Sequence, residues 1–312
     1  MEPRHRVRSR SMTRSRWLRR RGVPVAALGV AALLAACGSS AASSGTGSSP
    51  TSAGELAQYI SKGVNIGMTL DAPYVVQQGS QVSGTEVELA HQILNKLGIT
   101  KINDVLISSY GGLIPSLQAS RTDLVVGLVI TPVRCKVVDF SSPYLTTYPA
   151  WAVKKGNPDG LNRWADVKTK GVNVGILSGN FDVQNAAAAG VPSSNLQQYP
   201  DLNSGLTALQ QGRIAAMSGD VISMQVGVQT ANLSSAMDVV AEKDYVVQGS
   251  TVPGYTLGFS LRKDEGALLK GVNDQLAAVM PAGGAAIGAK YGIPAAVYEA
   301  PRTLTTKQLC GG

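Results

Sequence analysis

The stretch Leu124–Tyr144, LVVGLVITPVRCKVVDFSSPY, constrains the fold more than any other part of the chain. It opens on an apolar run, Leu124–Ile130, rich in valine and without polar alternation. Such a run fits a strand covered on both faces, as in a parallel sheet. Thr131 and Pro132 end it. Thr131 can cap a helix whose first residue is Pro132, where the missing N–H is no loss. Arg134 then falls in the first helical turn, where a cation opposes the helix dipole. Two explanations stay open. Either Arg134 is a surface residue, or it faces an anion in the crevice at the strand's carboxyl end, where open α/β sheets bind ligands. A guanidinium there would grip a carboxylate through two parallel hydrogen bonds.

The neighbouring segments repeat the pattern. Val64–Met68 reads as a strand followed by the loop Asp71-Ala72-Pro73-Tyr74. Gln77–Ser83 is a polar hairpin tip, and Thr85 is placed to cap a helix that Gly98 ends. Lys101–Ile107 is a second strand, with Tyr110 and two glycines in the loop after it and a short helix over Leu113–Ala119. After the extended segment Tyr148–Val153 a second, similar unit begins. Val172–Leu177 is a strand, and Ser178-Gly179-Asn180 is a turn whose backbone N–H groups would face a bound anion before the helix Phe181–Ala189. Leu196–Tyr199 is a strand, Asp201 caps the next helix, and Ile214–Met217 is a strand that runs into Ser218-Gly219-Asp220. Asp220 either faces the crevice or caps another helix. Tyr255–Leu261 is a strand and Ala267–Met280 a helix. Strand–helix alternation argues for an α/β fold with mostly parallel sheets.

The 312 residues suffice for two ordinary domains. The net charge of +8 is misleading, because nine arginines and one glutamate lie in residues 1–36. Subtracting them from 28 basic and 20 acidic residues leaves 19 of each, so the charge gives no footprint for nucleic acid. Residues 1–36 read as a targeting segment: an arginine-rich part, then the apolar Val23–Ala36, shorter than the roughly 20 residues that span a bilayer. The segment ends in Leu34-Ala35-Ala36-Cys37, which resembles a bacterial lipoprotein signal with Cys37 as the lipidated residue. Residues 37–54 form a Ser/Gly/Ala/Thr tether. The expected location is therefore the outer face of the cell membrane. Cys135 and Cys310 remain there, and an even count in an oxidising compartment permits one bridge. His91 is the only histidine after the leader, so no histidine-based metal site or triad is expected. Gly283–Gly288 has phosphate-loop spacing, but Ala289 stands where the lysine belongs. No cofactor or metal is implied.

Several motifs occur together in one order: Leu113-Ile114-Pro115-Ser116-Leu117, Thr131-Pro132-Val133-Arg134, Phe140-Ser141-Ser142-Pro143-Tyr144, Gly212-Arg213-Ile214 with Asp220, Gly258–Lys263, Asn273 and Lys290-Tyr291-Gly292. In that order they resemble the bacterial extracellular solute-binding proteins of family 3, which deliver amino acids to ABC importers. The resemblance covers nearly all of residues 62–293. It implies a periplasmic-binding-protein-like fold of two mixed-sheet α/β lobes that close on ligand about two hinge strands. Lobe one would comprise 55–151 and 258–312, and lobe two 152–257. It also implies roles. Arg134 would hold an α-carboxylate and Asp220 an α-ammonium. The Ser178-Gly179-Asn180 turn would donate backbone hydrogen bonds, and Tyr74 and Tyr110 would line the side-chain pocket, beside Thr131. Three positions depart from the family: Val129 replaces a hydroxyl or small residue, Asp71 an aromatic, and Asn180 a threonine. Asp71 points to a cationic or amide-bearing ligand, or is a solvated loop residue.

The expected function is capture of an amino acid or related small amine by a monomeric lipoprotein that partners an ABC permease. Two alternatives compete. An exported dehydratase or lyase on this fold would need a general acid or base in the cleft, and Asp71 is the only unusual acid available. A ligand-reporting partner of a membrane receptor would have to act in trans.

Overall fold

Two five-stranded sheets form the frame of the computed structural model, which describes residues 52–243 and 254–312. The expected leader, Cys37 and most of the tether lie outside these residues. A helix, Ser52–Lys62, begins the described part, within the end of the stretch read as tether.

In the first sheet the strand order is Ile102–Leu106, Val64–Met68, Leu124–Val125, Ser260–Leu261, Asp139–Phe140. Val64–Met68 lies at the parallel centre, paired on both sides, and Ser260–Leu261 joins antiparallel. The helices Thr85–Lys96 and Gly266–Val279 pack on one face around Ile66, Met68, Leu89, Ile93 and Leu276. Leu113, Leu117, Val125, Ile130 and Leu309 fill the other. In the second sheet the order is Leu196–Tyr199, Val174–Leu177, Ala216–Asp220, Pro149–Lys154, Met237–Ala241. Its first three strands are parallel and the last two pairings antiparallel. Leu206, Leu209, Met217 and Met224 cover one face. Trp151, Trp164, Val174 and Ile176 cover the other.

Two strands connect the halves. Leu145–Thr147 and Tyr255–Leu257 pair antiparallel, and the buried Thr146 and Thr256 hydroxyls bond at 3.0 Å. The molecule has a two-lobed architecture, one sheet to each lobe. Parallel strands in both lobes direct their carboxyl ends, and the loops that follow them, toward one crevice.

Three expectations change. The run Leu124–Ile130 is not one strand: only Leu124–Val125 pairs, because Gly127 adopts φ +85° and turns the chain. Val129 then makes an isolated bridge to Leu257. Thr85 is not a cap but the first helical residue. Gly84 stands at the cap, where a Cβ would lie 2.2 Å from the Tyr74 carbonyl oxygen. Tyr255–Leu261 splits in two, since it changes partners from the connecting strand to the first sheet.

Candidate functional site

The crevice between the sheets holds a small cavity, lined among others by Asp71, Tyr74, Tyr110, Val129, Arg134, Asn180 and Asp220. These residues come from the loops after five different strands. Thr131, Ser178 and Gly179 support the wall without lining the cavity.

Arg134 sits in the short helix Pro132–Cys135, whose start is capped as expected: Thr131 Oγ1 accepts from the Arg134 N–H at 3.3 Å. Its side chain is 8% exposed. One guanidinium nitrogen donates to the Val129 carbonyl at 3.0 Å, and another reaches the Gly179 carbonyl in the opposite lobe at 3.3 Å. Among the described residues no carboxylate pairs with it. Burial pulls it down to about 10, while Tyr110 and Asp182 hold it up. It therefore stays charged at neutral pH. Cys135, the next residue, is joined by a disulfide to Cys310.

Asp220 satisfies both explanations left open by the sequence. It caps the helix Val221–Thr230, accepting from the N–H groups of Ile222 and Ser223, and it borders the cavity. Its Oδ1 also accepts from Tyr74 at 2.8 Å and Thr147 at 3.1 Å, while Ser223 donates to Oδ2 at 2.6 Å. Asp71 is buried, not solvated. Tyr110 donates to its Oδ2 at 2.6 Å, whereas Oδ1 has no partner. Burial pushes Asp71 up to about 8, with the Asp220 charge adding and the Tyr110 bond opposing.

Two N–H groups of the turn Ser178-Gly179-Asn180 are engaged within their own lobe. Ser178 N–H bonds the Tyr199 carbonyl and Asn180 N–H the Leu177 carbonyl. The turn also offers carbonyls: Ser178 accepts from Gly111 N–H at 3.2 Å and Gly179 accepts from Arg134. The approach is close. A Cβ on Gly179, at φ +76°, would lie 2.2 Å from Gly111 N, so the backbones of the two lobes touch only because Gly179 is glycine.

Sequence reasoning missed Gly127, Thr147, Phe181, Ser223 and Tyr255, which also line the cavity. Phe181 and Tyr255 meet edge to face at 4.3 Å. Tyr255 donates to the buried Asp182 at 2.7 Å, and Asp182 also accepts from Ser218. Only Ser223 had a signal, a hydroxyl three residues after an aspartate cap. Among the described residues no group of three or more His, Cys, Asp and Glu could hold a metal. Nor is any described helix long and apolar enough to cross a membrane.

A crevice between two mixed-sheet lobes, with a buried arginine on one wall and carboxylates around it, has parallels. The chain is 29% identical over 199 residues to the "Probable amino-acid ABC transporter periplasmic-binding protein y4tE" of Sinorhizobium fredii; the match covers 63% of this chain and 65% of that one. It is 30% identical over 200 residues to the L-cystine-binding protein TcyJ of Escherichia coli, covering 63% and 69%. The solved structure of EhuB in complex with hydroxyectoine superposes with a TM-score of 0.73 at 32% identity, covering 82% of this chain and 97% of that one. Residues 64–292, which hold both sheets and every cavity residue named above, match the description of one family throughout. The chain belongs to the bacterial extracellular solute-binding proteins, family 3.

Proposed function

We propose that this chain captures an amino acid or related small amine outside the cytoplasm and delivers it to an ABC permease. The observation that carries this reading is the buried Arg134, charged and without a carboxylate partner among the described residues, lining one cavity with Asp71 and Asp220. A buried charge is costly unless paired, and a zwitterion stripped of water needs a partner for each end. In this reading Arg134 takes the carboxylate, and Oδ2 of Asp220, which accepts from Ser223, takes the ammonium. Tyr74 and Tyr110 flank the side chain, with Val129 and Asn180 completing the wall. The relatives named for amino acids, for cystine and for hydroxyectoine, all small molecules with a carboxylate and cationic nitrogen, support that class.

We take 55–148 with 258–312 as lobe one and 149–257 as lobe two, closing on ligand as a monomer; the boundary lies ahead of Pro149–Lys154, because that strand pairs wholly within the second sheet and not, as the expected bounds had it, partly in lobe one. Hydrogen bonds from Tyr74 to Asp220, Arg134 to Gly179 and Gly111 to Ser178 span the crevice and support such closure. The chain acts as a binder and not a catalyst, and prephenate should pass through it unchanged. Cys37 carries lipid and is the mature N-terminus, which mass spectrometry of membrane-extracted protein would read; an intact 1–36 segment overturns that assignment.

Calorimetry of the full chain against amino acids, polyamines and hydroxyectoine tests the function. Micromolar binding needs about 8 kcal/mol. Arg134→Ala should weaken it by roughly 150-fold or more, since truncating one partner of a buried charge pair costs about 3–5 kcal/mol. Unchanged binding by that variant removes the proposed clamp.

A further inference from the structure

Four acids stand in or beside the cavity: Asp71, Glu86, Asp182 and Asp220. Two have their needs met. Asp220 accepts from Tyr74, Thr147, Ser223 and two helix N–H groups. Asp182 accepts from Tyr255, Ser218 and Asn185. The other two do not. Asp71 Oδ1 and Glu86 Oε2 are buried oxygens with no hydrogen-bond partner. Asp71 is 8% exposed and Glu86 1%. A buried acceptor left without a donor destabilises the fold, more so when charged.

The two oxygens belong to one corner. Glu86 opens the helix Thr85–Lys96, and its N–H donates to the Tyr74 carbonyl, which ties it to the loop that carries Asp71. Between Glu86 and the cavity stands Gly127, a lining residue at φ +85°. A Cβ there would lie 3.4 Å from Glu86 Oε2 and 3.6 Å from the Tyr110 ring. The wall is therefore only a glycine thick at the point where Glu86 presents its free oxygen. Burial pushes Glu86, like Asp71, up to about 8, the Tyr144 bond opposing and the Asp71 and Asp220 charges adding. A nearby cation reverses that cost by favouring the ionised form.

A plain zwitterion leaves two buried acceptors unmet: its carboxylate would pair with Arg134 and its ammonium with Asp220, and Asp71 Oδ1 and Glu86 Oε2 would still lack a donor. We propose that Asp71 and Glu86 form a second cation subsite, so that the ligand is an amino acid whose side chain carries its own positive charge. This rests on the amino-acid reading of the crevice. The competing role for Glu86 is structural, as the acceptor of the Tyr144 hydroxyl at 3.0 Å. That bond uses Oε1, and glutamine keeps it.

The test compares neutral and charged twins on the full chain by calorimetry: L-arginine with L-citrulline, and L-lysine with L-norleucine. At least one cationic member should bind about tenfold or more tightly than its twin, a preference of roughly 1.4 kcal/mol. Asp71→Asn and Glu86→Gln should each reduce that preference at least about fivefold, read as the ratio of the two twins' affinities within each variant. Equal binding of twins by the unmodified protein overturns the subsite, whether or not the variants fold. So does a preference that survives in both variants. Tight binding of neutral amino acids alone sinks the subsite and leaves the amino-acid reading intact. If no amino acid binds, that reading fails and the subsite with it.

Discussion

Arg134 and Asp71 are placed where water cannot solvate them, and the consequences are measurable. Asp71 and Glu86 sit at about 8 in the folded protein because burial disfavours their charged forms. Their ordinary values are 3.8 and 4.5, so between roughly pH 4.5 and 8 the native state holds protons that the unfolded chain has released. Stability then falls as pH rises through that window. Asp182, pushed up to about 6 by burial, and Glu242, pushed up to about 8, act in the same direction. We expect the Tm of ligand-free protein to drop by roughly 5 °C or more from pH 5 to pH 8. A flat or rising Tm would contradict the burial of these acids. At this scale the sequence showed where charge was out of place. Arg134 in a first helical turn and Asp220 at a strand end were both conspicuous. The burial of Asp71 was not, because it depends on Tyr110, 39 residues away. Thr147, Phe181 and Tyr255 were equally illegible, since their shared wall forms only when two distant strands pair.

Among the elements, the turns matter more than the strands. The strand ends that carry the site were readable from valine-rich runs stopped by Gly, Pro or Asp. The helix Val221–Thr230 was not, because VISMQVGVQT has no polar stripe to reveal its period. The turn at Gly179 was readable, but the carbonyl that Ser178 presents to Gly111 was not, because that contact depends on a residue across the crevice. That contact is a test of closure. Gly179→Ala introduces a methyl group 2.2 Å from the Gly111 nitrogen, at a positive φ that alanine disfavours. We expect ligand affinity to fall about tenfold or more, with the Tm of the ligand-free protein shifted by only a few degrees. Undiminished affinity would mean that the bound form does not bring these backbones together.

For the whole molecule, the C-terminal segment returns to the lobe that holds Arg134. The Cys135–Cys310 bridge spans 175 residues and fastens the helix Thr306–Leu309 to the turn Pro132–Cys135. Thr306 adds a hydrogen bond to the Ser141 carbonyl at 2.7 Å, and Leu309 packs into the core beneath Leu113 and Val125. Replacing both cysteines by serine should lower stability by about 2–4 kcal/mol, read as a shift in denaturant midpoint at constant slope. A midpoint that does not move would show that packing alone secures this corner. The pairing could not be read from the sequence, which shows only that two cysteines remain besides Cys37.

The same staple touches the residue next to the guanidinium, so oxidation state and recognition share one short turn. Batches made in a reducing cytosol and batches exported to an oxidising compartment would then be different reagents despite identical sequences. A screen run on the first kind would rank solutes against an untethered arginine, and weak hits from it would say little about the protein as a cell displays it.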